Sequence, residues 1–113
     1  MSCVTREIVL PIDRDRAWEL ITGESELREW LAGDAEFAPF EGAAVRADDR
    51  EGIVEAVEPA ERIVFTWGDS LVEWRLDDAP GGTRFVVTEY RTAADAWGPR
   101  LQALAGASLL CRA

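Results

Sequence analysis

Hydrophobic residues recur along this chain with two different periods, which predicts helices near its start and strands through its middle. An opening strand over Cys3–Leu10 is indicated by β-branched residues and by Pro11, which ends it. A helix over Arg14–Thr22 is predicted next, since Asp13 is a favourable N-cap and Gly23 a natural stop. The chain therefore begins with a strand that leads directly into a helix.

A second short helix is predicted by apolar residues spaced three and four positions apart. Leu27, Trp30 and Leu31 have this spacing, and Gly33 ends the segment. Each of the two helices spans about two or three turns, which is too short to be stable alone. Both must therefore pack against another element.

From Ala35 onward the period changes to two, which predicts a series of antiparallel strands. Glycine, proline and aspartate residues separate them as turns, most clearly at Pro80-Gly81-Gly82. The predicted strands run over Phe37–Phe40, Ala43–Ala47, Gly52–Val57, Arg62–Trp67, Leu71–Leu76 and Thr83–Tyr90.

The last segment is predicted to form an amphipathic helix from about Gly98 to Arg112, because Pro99 is tolerated only in its first turn. The order of elements favours an α+β fold in which this helix lies across one face of an antiparallel sheet. By alternation, the covered face carries Phe65, Trp67, Trp74 and Phe85.

Charge and composition exclude several classes of function. The 113 residues suit one domain, 1–113, with an ordinary hydrophobic core. The net charge of −10 is unfavourable for binding nucleic acid or an anionic membrane. The chain contains no His, and all 12 basic residues are Arg. This excludes His-dependent nucleophile pairs, a Lys Schiff base and His-ligated metals.

Cysteine usage and the remaining motifs indicate a cytoplasmic protein without metal or cofactor. Cys3 and Cys111 have no disulfide-framework spacing, so free thiols are expected. No apolar run is long enough to span a bilayer, and the first residues do not resemble a signal peptide. The acidic runs at Asp48–Glu51 and Asp77-Asp78 lack calcium-loop spacing and are interpreted as solvated turns.

The order of these elements resembles the START/Bet v 1-like superfamily, also called the SRPBCC or helix-grip group. Within it, the chain is most similar to the single-domain bacterial branch named after the activator of the 90-kDa heat-shock chaperone's ATPase. The stretches that carry the resemblance are Arg6–Leu10, Ala17-Trp18, Leu27–Leu31, Gly52–Trp67, Val72–Leu76, Gly81–Glu89 and Trp97.

The resemblance implies a curved antiparallel sheet of about six or seven strands, wrapped around the C-terminal helix, with two short helices after the first strand. It also implies a cavity between sheet and helix, in which relatives bind lipids, sterols, hormones or polyketides. The expected function is therefore non-catalytic binding of a small apolar or amphipathic molecule. The expected ligand-binding residues are Phe65, Trp67, Trp74, Phe85, Val87, Glu89, Trp97 and Leu101.

Alternatives remain open for these residues. The tryptophans suit a plain core as well as a pocket wall, and Trp18 and Trp30 suit the core or the pocket rim. Glu89 is a candidate acid/base for a cofactor-free cyclase- or dehydratase-like enzyme, since it shares a face with apolar residues. In the other interpretation it reaches water at the strand end and pairs with an arginine. Arg6 and Arg84 are candidate partners for a buried acid or for a ligand carboxylate.

The third function class is an interaction module, such as a chaperone co-factor or a homodimer. The family resemblance suggests it, whereas no residue pattern singles out a partner surface. Tyr90, the single tyrosine, is expected to face outward from the sheet. No catalytic residue is assigned, and the sequence favours a binding protein over an enzyme.

Overall fold

The structure is a computed structural model that describes residues 3–90 and Leu104. These residues form six strands and two helices, an α+β arrangement that agrees with the helix-grip expectation. In chain order the elements are β1 (Cys3–Leu10), α1 (Arg14–Thr22), α2 (Glu24–Trp30), β2 (Ala44–Ala47), β3 (Arg50–Glu58), β4 (Arg62–Trp67), β5 (Ser70–Ala79) and β6 (Gly82–Tyr90).

The strands form one antiparallel sheet in the order β1-β6-β5-β4-β3-β2. Strands β2 to β6 follow one another as hairpins, whereas β1 pairs with the last described strand. Alternate residues of β4, β5 and β6 are buried, and α1 packs against β5 and β6. We call this covered side of the sheet the inner face.

Helix α1 begins and ends where the sequence predicts. The Asp13 side chain accepts a hydrogen bond of 2.8 Å from the backbone N–H of Arg16, which caps the first turn. Gly23 ends α1 and also precedes α2, with an extended backbone rather than a left-handed one. Ala17, Leu20 and Ile21 of α1 are buried, so packing supplies the stability that this short helix lacks by itself.

A β-bulge in β3 keeps two valines over the core. Val54 pairs with Phe65 and Val57 pairs with Ile63, and the register shifts between them. Phe65 and Ile63 are both on the inner face. Residues three apart on a regular strand face opposite sides, so the extra residue lets both valines face inward.

The strand predicted over Phe37–Phe40 is wrong. Within this segment the backbone turns, and the N–H of Phe40 bonds to the carbonyl of Ala38 at 2.9 Å. Pro39 has no N–H to donate to a ladder, which disfavours a strand here. The neighbouring Glu36 makes a single bridge to Arg46 of the edge strand β2.

The predicted C-terminal helix lies outside the described residues, apart from Leu104, which is helical and fully buried. Trp97 and Leu101 of the expected ligand-binding set, and Cys111, also lie outside them. None of the described helices is long and apolar enough to cross a membrane.

Replacing Gly52 by alanine is expected to destabilise the sheet. A Cβ at this position would overlap the backbone carbonyl of Thr66 on the neighbouring strand, so β3 and β4 would have to separate. We expect a loss of about 1–3 kcal/mol in the free energy of unfolding, measured by urea denaturation. Gly33→Ala is the control, because a Cβ there meets no atom within 4 Å. Equal unfolding midpoints for the two variants would contradict the prediction.

Candidate functional site

Five aromatic rings form a continuous cluster on the inner face, which we call the aromatic cluster. Trp74 is at its centre, with ring centroids 4.9 Å from Phe65, 5.2 Å from Trp30, 5.3 Å from Phe37 and 5.9 Å from Phe85. Several of the pairs meet edge to face, the geometry that aromatic quadrupoles favour.

The cluster has two structural origins. Phe65, Trp74 and Phe85 belong to the sheet, whereas Trp30 comes from α2 and Phe37 from the loop that follows. Trp30 and Phe37 therefore cover a part of the inner face that the sequence assigns to a ligand. From the sequence, Trp30 suits either the core or the pocket rim, and Phe37 is not assigned to this site.

A polar cluster lies at one end of the same face and consists of Arg50, Trp67, Ser70 and Glu89. The Arg50 Nη2 atom donates to three acceptors: the Glu89 Oε2 atom at 2.9 Å, the Ser70 Oγ atom at 3.0 Å and the Trp67 carbonyl at 2.9 Å. The guanidinium also lies over the Trp67 ring, 3.9 Å from its centroid, in a cation–π arrangement.

The β2–β3 hairpin positions Arg50 over the other three residues. Asp48 and Asp49 form its turn with φ of 55° and 64°, a left-handed conformation that aspartate tolerates better than most residues. The indole N–H of Trp67 donates to the carbonyl of Ala47 at 2.9 Å, which ties β2 to the end of β4. Both sides of the hairpin are thus held against the polar cluster.

Glu89 is fully buried, while the Arg50 side chain is 32% exposed. A buried ion pair adds little stability relative to apolar residues of similar size, because both charges lose their hydration. The pair is therefore weak evidence of a stability device.

The pairing of Glu89 corrects the sequence interpretation. Glu89 does pair with an arginine, but it does not reach water and its described partner is Arg50. Arg84, one of the predicted candidates, pairs instead with Glu7 at 3.5 Å, and Arg6 lies on exposed β1. Arg50 was missed because its acidic neighbours indicated a solvated turn. Its even spacing with the apolar Val54 along the same strand was the available signal.

The other predicted site residues occupy the inner face as expected. Phe65, Trp74 and Phe85 are in the aromatic cluster, and the fully buried Val87 pairs across the sheet with Trp74. Trp18 is partly buried against the core. Tyr90 faces outward and is 37% exposed.

The opposite side of the sheet, which we call the outer face, carries an exposed apolar row. Leu71 pairs with Tyr90 on one side and with Thr66 on the other, and the Thr66 hydroxyl accepts a hydrogen bond from the N–H of Ile53. The exposed fractions of Ile53, Leu71 and Tyr90 are 47%, 38% and 37%. We call these three residues the outer apolar row.

A second surface feature is an open groove of about 290 Å³ in which arginines and carboxylates pair. Arg62 bonds to Glu73 at 2.6 Å and to Glu58 at 2.9 Å, and these hydrogen bonds raise the pKa of its guanidinium. Because its charges neutralise one another, the groove offers no free charge to a ligand. It is lined by Arg14, Glu58, Glu61, Arg62, Arg75, Leu76 and Asp77.

Metal binding finds no support in the part of the chain that the structure describes. No group of three or more cysteine, aspartate or glutamate side chains within it is arranged to hold an ion.

The sheet, the two helices after β1 and the covered inner face define a member of the START/Bet v 1-like superfamily. The model of one family in it, the activator of Hsp90 ATPase homolog 1-like proteins, matches residues 11–107. The chain belongs to this family, as the sequence resemblance indicated. No curated protein matches the chain.

Solved structures with the same fold share little sequence with the chain. A protein of Mesorhizobium loti has a TM-score of 0.82 at 23% identity, with 98% of each chain covered. DynU16, encoded in the dynemicin biosynthetic locus, has a TM-score of 0.81 at 23% identity over 94% of this chain and 46% of its own. The Aha1 dimer of Colwellia psychrerythraea has a TM-score of 0.70 at 14% identity, covering 99% and 93%.

Proposed function

We propose that this protein binds a small hydrophobic or amphipathic molecule against the inner face of its sheet, without catalysing a reaction on it. The observation that carries the proposal is the pair between the buried Glu89 and the partly exposed Arg50, beside the aromatic cluster. Aromatic walls with a few placed polar groups are the usual composition of small-molecule sites.

Binding requires that part of the aromatic cluster make room. Trp30 and Phe37 belong to a short helix and a loop, whereas the sheet residues are held by hydrogen-bonded ladders. Movement of these two side chains exposes the rings of Trp74, Phe65 and Phe85 to a ligand. The apolar part of the ligand then takes the place of the Trp30 and Phe37 side chains against these rings. The apolar surface of the rings therefore stays out of contact with water.

The ion pair supports binding over acid–base catalysis. A general acid or base must exchange its proton with a substrate, whereas Glu89 already accepts a hydrogen bond from Arg50. The chain also has no His or Lys that could take over this role near neutral pH. A cyclase- or dehydratase-like use of Glu89 is therefore the less favoured candidate.

Native mass spectrometry of the protein purified from its own cells tests the proposal. We expect the folded protein to carry extra mass that is lost on denaturation, because an apolar ligand survives purification in a buried site. The mass also gives the size of the ligand. A bare mass, together with no binding of ethylnaphthalene in equilibrium dialysis, would contradict the proposal.

Paired variants locate the binding face. Phe85→Leu removes one ring of the aromatic cluster, while Leu71→Ala changes the outer apolar row. We expect Phe85→Leu to weaken ethylnaphthalene binding about tenfold, since it removes ring contact area worth about 1–2 kcal/mol. Leu71→Ala should leave the dissociation constant unchanged. The reverse pattern would place the ligand on the outer face.

An interaction module is the second candidate, and the outer apolar row is the observation that favours it. Ile53, Leu71 and Tyr90 expose apolar surface in one cross-strand line. The related Colwellia protein is described as a dimer. In the native spectrum, a dimer that Ile53→Arg converts to monomer would support this candidate, and a monomeric wild-type protein would oppose self-association.

A further inference from the structure

Arg50 has hydrogen-bond donors that its structural contacts do not use. Its three acceptors all bind one nitrogen, Nη2. A guanidinium carries three further N–H groups, one on Nε and two on Nη1. Within residues 3–90 and Leu104, neither of these two nitrogens has a hydrogen-bond partner. Arg50 therefore combines a fixed position with free donor capacity.

The position of Arg50 suits contact with an amphipathic molecule. The guanidinium lies over the buried Trp67 ring, and its side chain is partly exposed while Glu89 is fully buried. The Arg50 side chain therefore lies at the boundary between the apolar inner face and solvent. Three hydrogen bonds and the ring contact hold the group in place, which lowers the entropy cost of binding a ligand.

The charge around Arg50 selects the chemistry of the ligand. Glu89 already neutralises the guanidinium, and Asp48, Asp49 and Glu51 flank it in the same hairpin of a chain with net charge −10. This field opposes an anionic ligand. A cationic ligand would have to displace Arg50 from Glu89, Ser70 and Trp67. A neutral hydrogen-bond acceptor meets neither obstacle.

We infer that Arg50 anchors a neutral, carbonyl-bearing hydrophobic molecule, such as a ketone, ester or amide, through its Nε and Nη1 donors. The inference rests on the proposed function, since the apolar part of the ligand lies on the inner face. It adds the chemical class of the ligand and the residue that recognises its polar end.

Two probes of matched size test the anchor: acetylnaphthalene, which has a carbonyl oxygen, and ethylnaphthalene, which has none. Equilibrium dialysis gives the dissociation constant of each. We expect the ketone to bind the wild-type protein about tenfold more tightly, the gain typical of a hydrogen bond from a charged donor. Naphthoate, its anionic counterpart, should bind more weakly than the ketone.

Arg50→Lys isolates the contribution of the free donors. A lysine ammonium has three donors, which match the three acceptors on Glu89, Ser70 and Trp67, and it keeps the positive charge beside Glu89. It has no donor left for a ligand. We expect the preference for the ketone to disappear in this variant, so that the dissociation constants of the two probes become about equal.

Any other outcome overturns the inference. The outcomes also distinguish failure of the Arg50 anchor from failure of the proposed function. If the wild-type protein binds both probes equally, or if Arg50→Lys keeps the ketone preference, the anchor is wrong and the apolar site stands. Tighter binding of naphthoate overturns the neutral class of ligand. If neither probe binds, both the anchor and the proposed function fail. Should Arg50→Lys not fold, the double variant Arg50→Met/Glu89→Leu provides the same test.

Discussion

Replacing Trp74 with alanine is expected to lower the free energy of unfolding by about 3–5 kcal/mol, the usual cost of removing a buried tryptophan or phenylalanine. Trp74 is at the centre of the aromatic cluster and contacts Trp30, Phe37, Phe65 and Phe85. Its loss leaves a cavity that several rigid strands cannot close. Urea denaturation followed by far-UV circular dichroism measures the change.

Phe40→Ala is the control for this prediction. Phe40 is also aromatic, but it is 61% exposed on the loop before β2. Its removal should change the free energy of unfolding by no more than about 0.5 kcal/mol, as is usual for exposed positions. If Trp74→Ala lowers the free energy of unfolding as little as Phe40→Ala does, the aromatic cluster contributes little to stability.

Arg50→Ala is expected to destabilise the protein by about 3–5 kcal/mol, because it leaves the carboxylate of Glu89 buried without its described cation. The change also removes the hydrogen bonds to Ser70 and to the Trp67 carbonyl. The effect is thus caused mainly by the loss of the Arg50 cation beside the buried Glu89 carboxylate. Urea denaturation measures the change in the free energy of unfolding.

The double variant Arg50→Met/Glu89→Leu separates the cost of a broken pair from the value of an intact one. Removing both charges should restore most of the stability lost in Arg50→Ala, since apolar residues of similar size commonly replace a buried pair without loss. Arg46→Ala is the surface control, as Arg46 pairs with Glu51 at 3.9 Å on the exposed edge strand. If Arg50→Ala lowers the free energy of unfolding no more than Arg46→Ala does, the Glu89 carboxylate has become hydrated in the variant.

Stability and binding should respond differently to these variants if the proposed site is correct. Trp74→Ala and Arg50→Ala change the folded state itself, so a loss of binding in either is ambiguous. Arg50→Lys and Phe85→Leu keep charge or apolar character at their positions, which makes them the informative variants for binding. A paired unfolding curve for each shows whether the protein remains folded at the temperature of the dialysis.

Local sequence patterns determined the sheet with good accuracy. β1 and β4 have the predicted bounds, because each is rich in β-branched residues and has a clear end at a proline or a glycine. The alternation of Trp74, Phe85 and Val87 also assigned them correctly to the covered face. These features depend on neighbours along the chain, so they are visible without a structure.

The wrong strand at Phe37–Phe40 shows where the local pattern is insufficient. Phe37 and Phe40 are large and apolar, yet Phe37 is buried against the rings of Phe65 and Trp74 on the sheet rather than by pairing with a strand. An apolar residue indicates burial, but the element that buries it is determined by tertiary packing.

The sequence by itself determined the family, the α+β class and which strand residues face inward, because periodicity and turn residues act locally. The tertiary structure decided which groups meet on that face. Arg50 is 39 residues from Glu89 and 20 from Ser70, and no spacing rule connects positions so far apart. Three strands of the sheet bring them together, so the candidate site exists only in the folded chain.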